Sequence, residues 1–232
     1  MQRTAIITAA SSGIGAACAT ELADRGYAVV LFARSEAVEG LAGKLRGTAV
    51  RGSVSRAQDL ERLVQETLDR HGRIDAVVNN TGHPPKGGLL EVSDTDWHDG
   101  LDLLFLSVVR LARLVTPVMQ SQGGGAIVNI SSFAAQEPSL PRPVSSALRA
   151  ALSSFTKMFA DQYASAGIRM NSVLPGWVSN HEVPPDVVAG IPIGRPAAAP
   201  EIARVVAFLL SAEASYLTGE NIRVDGGLLR TP

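Results

Sequence analysis

Seven short apolar runs, separated by longer segments of helical periodicity, restrict this chain to an α/β architecture. Strand, helix and strand follow one another repeatedly, which favours right-handed crossovers and a parallel sheet with helices on both faces. At 232 residues and 46% hydrophobic content, the chain suits a single α/β domain. We predict one domain over residues 1–232, a doubly wound seven-stranded parallel sheet with its ligand crevice at the carboxyl ends of the strands. The predicted strands are Thr4–Thr8, Ala28–Phe32, Thr48–Gly52, Asp75–Asn79, Ala126–Ser131, Arg169–Leu174 and Asn221–Val224.

Segments between these runs place apolar residues on one helical face, as expected for helices packed on a sheet. Examples are Leu60, Leu63, Val64 and Leu68, and then Leu111, Leu114, Val115 and Val118. The main irregular segment is Pro184–Pro200, which precedes a final helix and strand and is predicted to form a loop over the crevice. Because its first two prolines restrict its mobility, we expect a shallow, exposed pocket.

The charge balance indicates a small-molecule partner. The chain has 21 basic and 22 acidic residues, a net charge of -1 and no block of one sign, so nucleic acid and anionic membranes are not expected as partners. The single cysteine, Cys18, lies in an Ala-rich helical segment and is interpreted as a buried structural thiol. No signal-peptide pattern precedes Ala5, and apolar runs such as 101–109 are too short to span a bilayer, so we expect a cytoplasmic protein.

The turn after the first predicted strand has the composition of an anion site. Glycines there permit close backbone approach, and the helix that follows directs its N–H groups and the positive end of its dipole at a ligand such as a pyrophosphate. Glycine also occurs in tight turns for steric reasons alone, so this turn is weak support by itself. The candidate cofactor-binding residues of this turn are Thr8, Ser11, Ser12, Gly13, Ile14 and Gly15.

Three further motifs follow in order: Asn79-Asn80-Thr81-Gly82, the segment 168–176 ending in Pro175-Gly176, and the segment 216–227 ending in Asp-Gly-Gly. Together with the first turn they resemble the classical short-chain dehydrogenase/reductase family, in its beta-ketoacyl-carrier-protein reductase branch, over almost the whole chain. The resemblance implies a Rossmann-type fold with Asn79, Thr81 and Gly82 beside the adenine ribose. It also implies that Pro175 and Gly176 line the nicotinamide pocket. Ala9 replaces the family's first glycine, which predicts a slightly more open turn or weaker cofactor binding.

The end of the second predicted strand favours NADP(H) over NAD(H). Ala33 stands where an NAD-preferring member would place a carboxylate on the ribose hydroxyls. The adjacent Arg34 is a planar bidentate donor suited to a 2'-phosphate, although a solvated surface charge is the alternative interpretation. NAD(H) remains the second candidate cofactor. Ser53, before Val54, replaces an aspartate that contacts adenine in many relatives, and both are candidate cofactor-binding residues.

The catalytic pattern of the family is broken. The resemblance implies four catalytic residues: a serine, a tyrosine, a lysine four residues after the tyrosine, and an asparagine on a helix. The motif Tyr-x-x-x-Lys, however, occurs nowhere in this sequence. Ser132 keeps the serine position, Ser145 replaces the tyrosine, Arg149 replaces the lysine and Leu104 replaces the asparagine. A serine hydroxyl is a far poorer proton donor than a phenol with a pKa of about 10. Arg149 remains a candidate for the ribose and for a developing alkoxide.

Two histidines could supply the missing proton because their pKa suits acid–base chemistry. His83 follows the Asn-Asn-Thr-Gly turn and His181 follows the Pro-Gly turn, but both are equally well interpreted as surface-loop residues. Two functions stay open at this point. One is an NADP(H)-dependent oxidoreductase that interconverts a carbonyl and an alcohol. The other is a nucleotide-binding pseudoenzyme used for sensing, scaffolding or partner regulation.

The resemblance also implies a homo-oligomer, most simply a tetramer. In the family, the long helices after the fourth and fifth strands and the carboxyl-terminal segment form the contacts between subunits. The corresponding segments here are Asp94–Gln122, Val144–Gly167 and the chain from Leu217 onward. Their second apolar stripes would bury against a twofold mate, or else pack within the subunit.

Overall fold

The computed structural model describes residues 2–179 and 182–230. In that part of the chain one parallel sheet has the strand order β3-β2-β1-β4-β5-β6-β7. The order reverses between β1 and β4, which is where an open α/β sheet leaves a crevice for a ligand. The predicted doubly wound seven-stranded sheet is confirmed. Its strands are β1 (Thr4–Thr8), β2 (Ala28–Ala33), β3 (Thr48–Arg51), β4 (Ala76–Asn79), β5 (Gly125–Ile130), β6 (Ile168–Pro175) and β7 (Asn221–Val224).

Helices cover both faces of the sheet. Proline begins two of them, where its missing N–H would have no intrahelical partner in any case. Short 3₁₀ turns follow β5, α6 and α8. The helices are α1 (Gly13–Asp24), α2 (Ala37–Leu45), α3 (Ala57–His71), α4 (Asp94–Leu101), α5 (Ser107–Ser121), α6 (Pro143–Tyr163), α7 (Pro185–Ala189) and α8 (Ala199–Leu210).

Alternation along the strands divides the core into two layers. Ile7 of β1 points into the layer formed with α1, α2 and α8, and Ile6 points into the layer formed with α3, α5 and α6. Both side chains are fully buried, as expected for a parallel sheet covered on both faces. Cys18 lies in the first layer, where burial, with a smaller contribution from Glu21, raises the pKa of its thiol to about 12. The interpretation of Cys18 as a buried structural thiol is confirmed.

Three features differ from the sequence-based expectations. Several strand boundaries shift by one residue, as at Ala76 and Pro175. The run predicted as one helix over Asp94–Gln122 is divided by a π-helical segment, Asp102–Leu106. The prediction missed this division because the spacing of apolar residues does not reveal a single inserted residue. The irregular stretch Pro184–Pro200 contains helix α7 and the start of α8.

None of the helices among residues 2–179 and 182–230 is long and apolar enough to cross a membrane.

Candidate active site

The turn between β1 and α1 forms a tight backbone cradle. Ala9 has a left-handed φ of 47° and Gly13 a φ of 56°, so the alanine keeps a conformation that glycine adopts without strain. A Cβ on Gly15 would lie 2.3 Å from the Ala9 carbonyl oxygen, so any side chain there would fill the cradle. The backbone is therefore strained at Ala9, the position where the motif has a glycine.

The amino end of α1 suits an anion. Ser12 is the N-cap residue in extended conformation, and its side chain makes no capping hydrogen bond in the part of the chain that the structure describes. The first turn of the helix holds no acidic residue. Backbone N–H groups and the positive end of the helix dipole therefore face the crevice, beside the half-buried Ser11 and Ile14. This cradle fits the pyrophosphate of a dinucleotide.

Thr8 fastens the cradle to the neighbouring strand. Its hydroxyl donates to the Asn80 carbonyl oxygen at 2.6 Å and accepts from the Asn80 N–H at 2.9 Å. The Asn80 amide reaches back to donate to the Ala9 carbonyl oxygen at 3.3 Å. The Thr8 hydroxyl therefore positions the turn from within the protein. Thr81 and Gly82 follow in the loop beyond β4, where the Thr81 hydroxyl donates to the Gly82 carbonyl oxygen.

Asn79 begins a chain of buried side-chain hydrogen bonds that crosses the sheet. Its amide donates to Asn129 Oδ1 at 2.8 Å, and the Asn129 amide donates to Thr156 Oγ1 at 3.1 Å. Thr156 then shares a hydrogen bond of 3.0 Å with Ser172. We call these four residues the buried polar chain. It ties β4, β5, α6 and β6 together below the crevice.

Sequence reasoning missed Asn129, Thr156 and Ser172. The available signal was Asn129, the one polar side chain of the otherwise apolar strand β5, together with the buried polar Ser172 in β6. Buried polar side chains require partners, so such residues in apolar runs predict a network even when the partner is unknown.

The residues expected at the adenosine end lie after β2 and β3. Ala33 is buried, whereas Arg34 is exposed and forms no ion pair with any residue that the structure describes. Ser53 and Val54 are half-buried. The Ser53 N–H donates to Asp59 Oδ2 at 2.9 Å, and this bond is the main reason that the pKa of Asp59 lies below its ordinary value. The Ser53 position therefore remains beside a carboxylate, that of Asp59.

Ser145 and Arg149 meet at the head of β5. They lie one turn apart on α6, and Arg149 Nε donates to Ser145 Oγ at 3.2 Å. Arg149 Nη1 donates to the Ile130 carbonyl oxygen at 2.9 Å, at the last residue of β5. Both side chains are buried, with residue exposures of 9% and 8%. Burial lowers the pKa of Arg149 to about 10, which leaves the guanidinium protonated at neutral pH.

Ser132 follows directly after β5. It is half-buried and in extended conformation, and its Oγ accepts from the Ala134 N–H at 3.2 Å. Leu104 lies in the π-helical segment and is 2% exposed, so the position of the family's asparagine holds an apolar side chain. π-Helical turns inside α-helices are frequent at functional sites.

The turn after β6 completes the crevice. Pro175 ends β6, and the Gly176 N–H donates to the Val224 carbonyl oxygen at the end of β7. Trp177 follows, with its ring centroid 6.4 Å from that of Phe133 and with the Arg142 guanidinium 4.7 Å above its ring. Sequence reasoning missed these three residues, although each lies within three positions of a predicted site residue.

Of the two histidines considered as proton donors, the structure describes only one. His83 is exposed in the loop after β4. His181 lies outside the described residues. No group of three or more His, Cys, Asp or Glu side chains within residues 2–179 and 182–230 has the arrangement of a metal site. The chemistry available from the described residues is therefore a buried guanidinium and serine hydroxyls beside a dinucleotide cradle.

Comparisons with known proteins show which family the chain resembles. A family model described as Enoyl-(Acyl carrier protein) reductase matches residues 8–229. The chain is 32% identical to the 3-oxoacyl-acyl-carrier-protein reductase FabG of Vibrio cholerae, over 97% of each protein. It is 33% identical to the 3-oxoacyl-acyl-carrier-protein reductase of Synechocystis sp., over 98% of this chain and 97% of that protein.

Two solved structures have the same fold over the full chain. YwfH, an NADPH dependent reductase involved in bacilysin biosynthesis, superposes with a TM-score of 0.95 at 26% identity, covering 100% of both chains. L-Sorbose reductase from Gluconobacter frateurii, complexed with NADPH and L-sorbose, gives a TM-score of 0.90 at 31% identity, covering 100% of this chain and 98% of that chain.

The strain at Ala9 leads to a stability prediction. Ala9→Gly is expected to raise the free energy of unfolding by about 0.5–1 kcal/mol. It removes a left-handed penalty of roughly 1–2 kcal/mol at the cost of about 0.5–1 kcal/mol in backbone entropy. Urea denaturation measures the change. Ala16→Gly, the same substitution within α1, is the matched control and should lower stability by about 0.5–1 kcal/mol. A loss of stability in Ala9→Gly would show that the turn is not strained there.

Proposed function

The chain belongs to the short-chain dehydrogenase/reductase family, and on that premise we propose that it is an NADP(H)-dependent oxidoreductase interconverting a carbonyl and an alcohol at a non-standard active site. The observation that carries this proposal is the buried Ser145–Arg149 pair at the head of β5, beside Ser132 and the dinucleotide cradle. The NADPH dependence of YwfH and the NADPH bound to L-sorbose reductase support the choice of cofactor.

The residues that would hold the cofactor surround the crevice. The turn 8–15 would bind the pyrophosphate, Arg34 the 2'-phosphate, and the segments at Asn79–Gly82 and Pro175–Gly176 the two nucleoside halves. When bound, NADPH supplies a hydride to the carbonyl carbon. Negative charge then develops on the substrate oxygen, and the protein must stabilise that charge and deliver a proton to it.

Ser145 is oriented for the substrate oxygen by its neighbour. Since Arg149 Nε–H donates to Ser145 Oγ, the serine's own proton is directed away from the guanidinium and is available to a substrate oxygen. Arg149 supplies a positive charge in a region of low dielectric, where its field is stronger than in water. Ser132 can donate a second hydrogen bond. These groups stabilise an alkoxide, and water would complete the proton transfer in the absence of a phenol.

One observation favours a second function. The Arg149 side chain donates hydrogen bonds to two protein oxygens, those of Ser145 and Ile130, as it would in a site that binds a nucleotide without reacting. The alternative is therefore a nucleotide-binding pseudoenzyme that serves sensing, scaffolding or partner regulation. NADPH oxidation assays with a panel of ketones separate the two functions. Turnover that is lost in Ser132→Ala supports the oxidoreductase, and NADPH binding without turnover of any ketone supports the pseudoenzyme.

Cofactor preference is expected to be NADPH over NADH. Arg34→Ala should weaken NADPH binding about tenfold to hundredfold, the range of a charge-assisted hydrogen bond to a phosphate, and should leave NADH binding unchanged. Fluorescence titrations of the purified protein measure both affinities. Arg204→Ala, on the exposed face of α8, is the matched control. Tighter binding of NADH, or unchanged NADPH binding by Arg34→Ala, would contradict the assignment.

Proton delivery, and not cofactor binding, is expected to limit ketone reduction. The double substitution Ser145→Tyr with Arg149→Lys should raise turnover of an activated ketone by about a hundredfold or more, the contribution typical of a general acid. A third change, Leu104→Asn, tests the missing water relay. NADPH affinity should be similar in all variants, which steady-state kinetics and titration together establish. Ordinary turnover in the unaltered protein, or full activity in Ser132→Ala, would instead direct attention to His83 and His181.

We also propose that the protein is a homotetramer. A surface groove of about 460 Å³ runs between α5 and α6, lined in part by Phe155, Met158 and Tyr163. Met158 is 61% exposed beside the other apolar side chains of this groove, and a contiguous apolar surface of this kind is consistent with a covered helix face in the assembly.

The assembly can be tested at the groove. Met158→Glu is expected to shift the sedimentation coefficient from that of a tetramer to that of a smaller species, because it places a charge in an apolar contact. Leu90→Glu, at an exposed leucine outside both helices, is the control and should leave the assembly unchanged. A monomer in the unaltered protein at micromolar concentration would refute the proposal.

A further inference from the structure

Arg142, Trp177 and Phe133 form a cluster that we call the arginine–aromatic cluster. The Arg142 guanidinium carbon lies 4.7 Å from the centroid of the Trp177 ring, which is the geometry of a cation–π contact. Trp177 in turn packs on Phe133, with ring centroids 6.4 Å apart and ring planes tilted by 41°. All three side chains are half-buried, so each retains surface toward solvent. The cluster is therefore both ordered by its own contacts and accessible.

The cluster lies at the mouth of the candidate active site. Phe133 follows Ser132 directly, and Trp177 follows the Pro175-Gly176 turn directly. β5 and β6 are paired neighbours, so their carboxyl ends bring these two segments together. Arg142 is the N-cap residue of α6, whose first turn carries Ser145. Phe133 and Arg142 are thus attached to segments that position candidate catalytic residues, and Trp177 is attached to the turn that is expected to line the nicotinamide pocket.

Arg142 differs from the other arginine near Trp177. Arg195, which shares a cavity of about 310 Å³ with Trp177, is held in a bidentate pair with Glu201 at 2.7 and 2.8 Å. Arg142, within the ranges 2–179 and 182–230, makes neither an ion pair nor a side-chain hydrogen bond. A guanidinium stacked on an indole keeps its N–H donors in the plane at its edge, where they can bind a carboxylate through two parallel bonds.

We propose that the arginine–aromatic cluster is a carboxylate-binding subsite, and that the substrate is a small oxo acid whose carboxylate lies a few bonds from the carbonyl. Arg142 binds the carboxylate, while Trp177 and Phe133 enclose the apolar part of the molecule. The inference rests on the proposed reductase function and names the substrate class of the same site.

The position of Arg142 favours a short substrate. Arg142 and Ser145 belong to the first turn of one helix, and three residues of α-helix advance only about 4.5 Å along the axis. A long acyl thioester carries its phosphates many bonds from the reacting carbonyl, which does not match an anion site attached to that first turn. A carboxylate close to the carbonyl matches it.

Binding can be measured separately from turnover. The chain has two tryptophans, Trp97 and Trp177, so a Trp97→Phe background leaves the cluster indole as the sole tryptophan fluorophore. NADP⁺ has no hydride to transfer to a ketone. In the complex with NADP⁺, titration with acetoacetate and with methyl acetoacetate therefore compares an acid with its neutral counterpart without turnover. We expect the acid to quench Trp177 and to bind about tenfold or more tightly than the ester.

Three variants assign the preference to Arg142. Arg142→Met should abolish the preference for the acid, a loss of about tenfold to hundredfold, with little effect on the ester. Arg142→Lys should keep part of it, since the charge remains but the planar fork is lost. Arg204→Gln, an exposed arginine on α8, should leave the preference unchanged. Equal binding of acid and ester by the parent protein, or an unchanged preference in Arg142→Met, would overturn the subsite.

Turnover assays then separate this inference from the proposed function. Reduction of acetoacetate should depend on Arg142, and reduction of methyl acetoacetate should not. An acid preference in binding without any turnover would refute the reductase and leave the subsite standing. Turnover of neutral ketones with no acid preference would refute the subsite alone. If acetoacetyl-CoA depends on Arg142 more strongly than acetoacetate does, the anion bound is a phosphate and the oxo-acid assignment is wrong.

Discussion

The buried polar chain is the interaction on which the geometry of the site depends. Asn79, Asn129, Thr156 and Ser172 join two neighbouring central strands to α6 and to β6 through hydrogen bonds of 2.8 to 3.1 Å. Buried polar groups tolerate few alternative arrangements, because a lost partner costs the desolvation of a donor or acceptor. The buried polar chain therefore fixes the depth and rotation of α6, and with them the positions of Ser145 and Arg149 relative to the end of β5.

The buried position of the Arg149 side chain follows from that placement of α6. A guanidinium buried beside neutral acceptors is costly, and its pKa falls to about 10 because water is excluded. The cost is reduced by the hydrogen bond that Arg149 donates to the Ile130 carbonyl oxygen at the end of β5. One side chain thus completes the sheet end and places positive charge at the crevice. This dual arrangement explains how a helix that lacks the usual tyrosine and lysine keeps an ordered site.

Much of the fold followed from sequence because its signals are local. Seven apolar runs and the intervening helical spacing predicted the sheet, and the positions of the motifs at strand ends predicted the crevice. The arginine–aromatic cluster could not be predicted in this way, since Trp177 is distant in sequence from Phe133 and Arg142 and approaches them through the pairing of β5 with β6. The π-helical segment could not be predicted from the sequence either. A single inserted residue changes the spacing of apolar residues by less than the uncertainty in a predicted helix boundary. The sequence showed Ala9 as a departure from the motif and predicted a more open turn, but the left-handed φ of that residue required coordinates.

The π-helical segment also acts as a phase correction between two helices. One residue corresponds to about 100° of rotation on an α-helix, so a regular helix through 102–106 would turn α4 by that angle relative to α5. Gly100, on α4, lies so close to α6 that a Cβ on it would be 2.2 Å from Val144 Cγ1. In a regular helix that glycine would face elsewhere, and a bulkier neighbour would meet Val144 at the base of α6. The extra residue lets α5 pack on the sheet while α4 packs on α6. A single uninterrupted helix could not make both contacts.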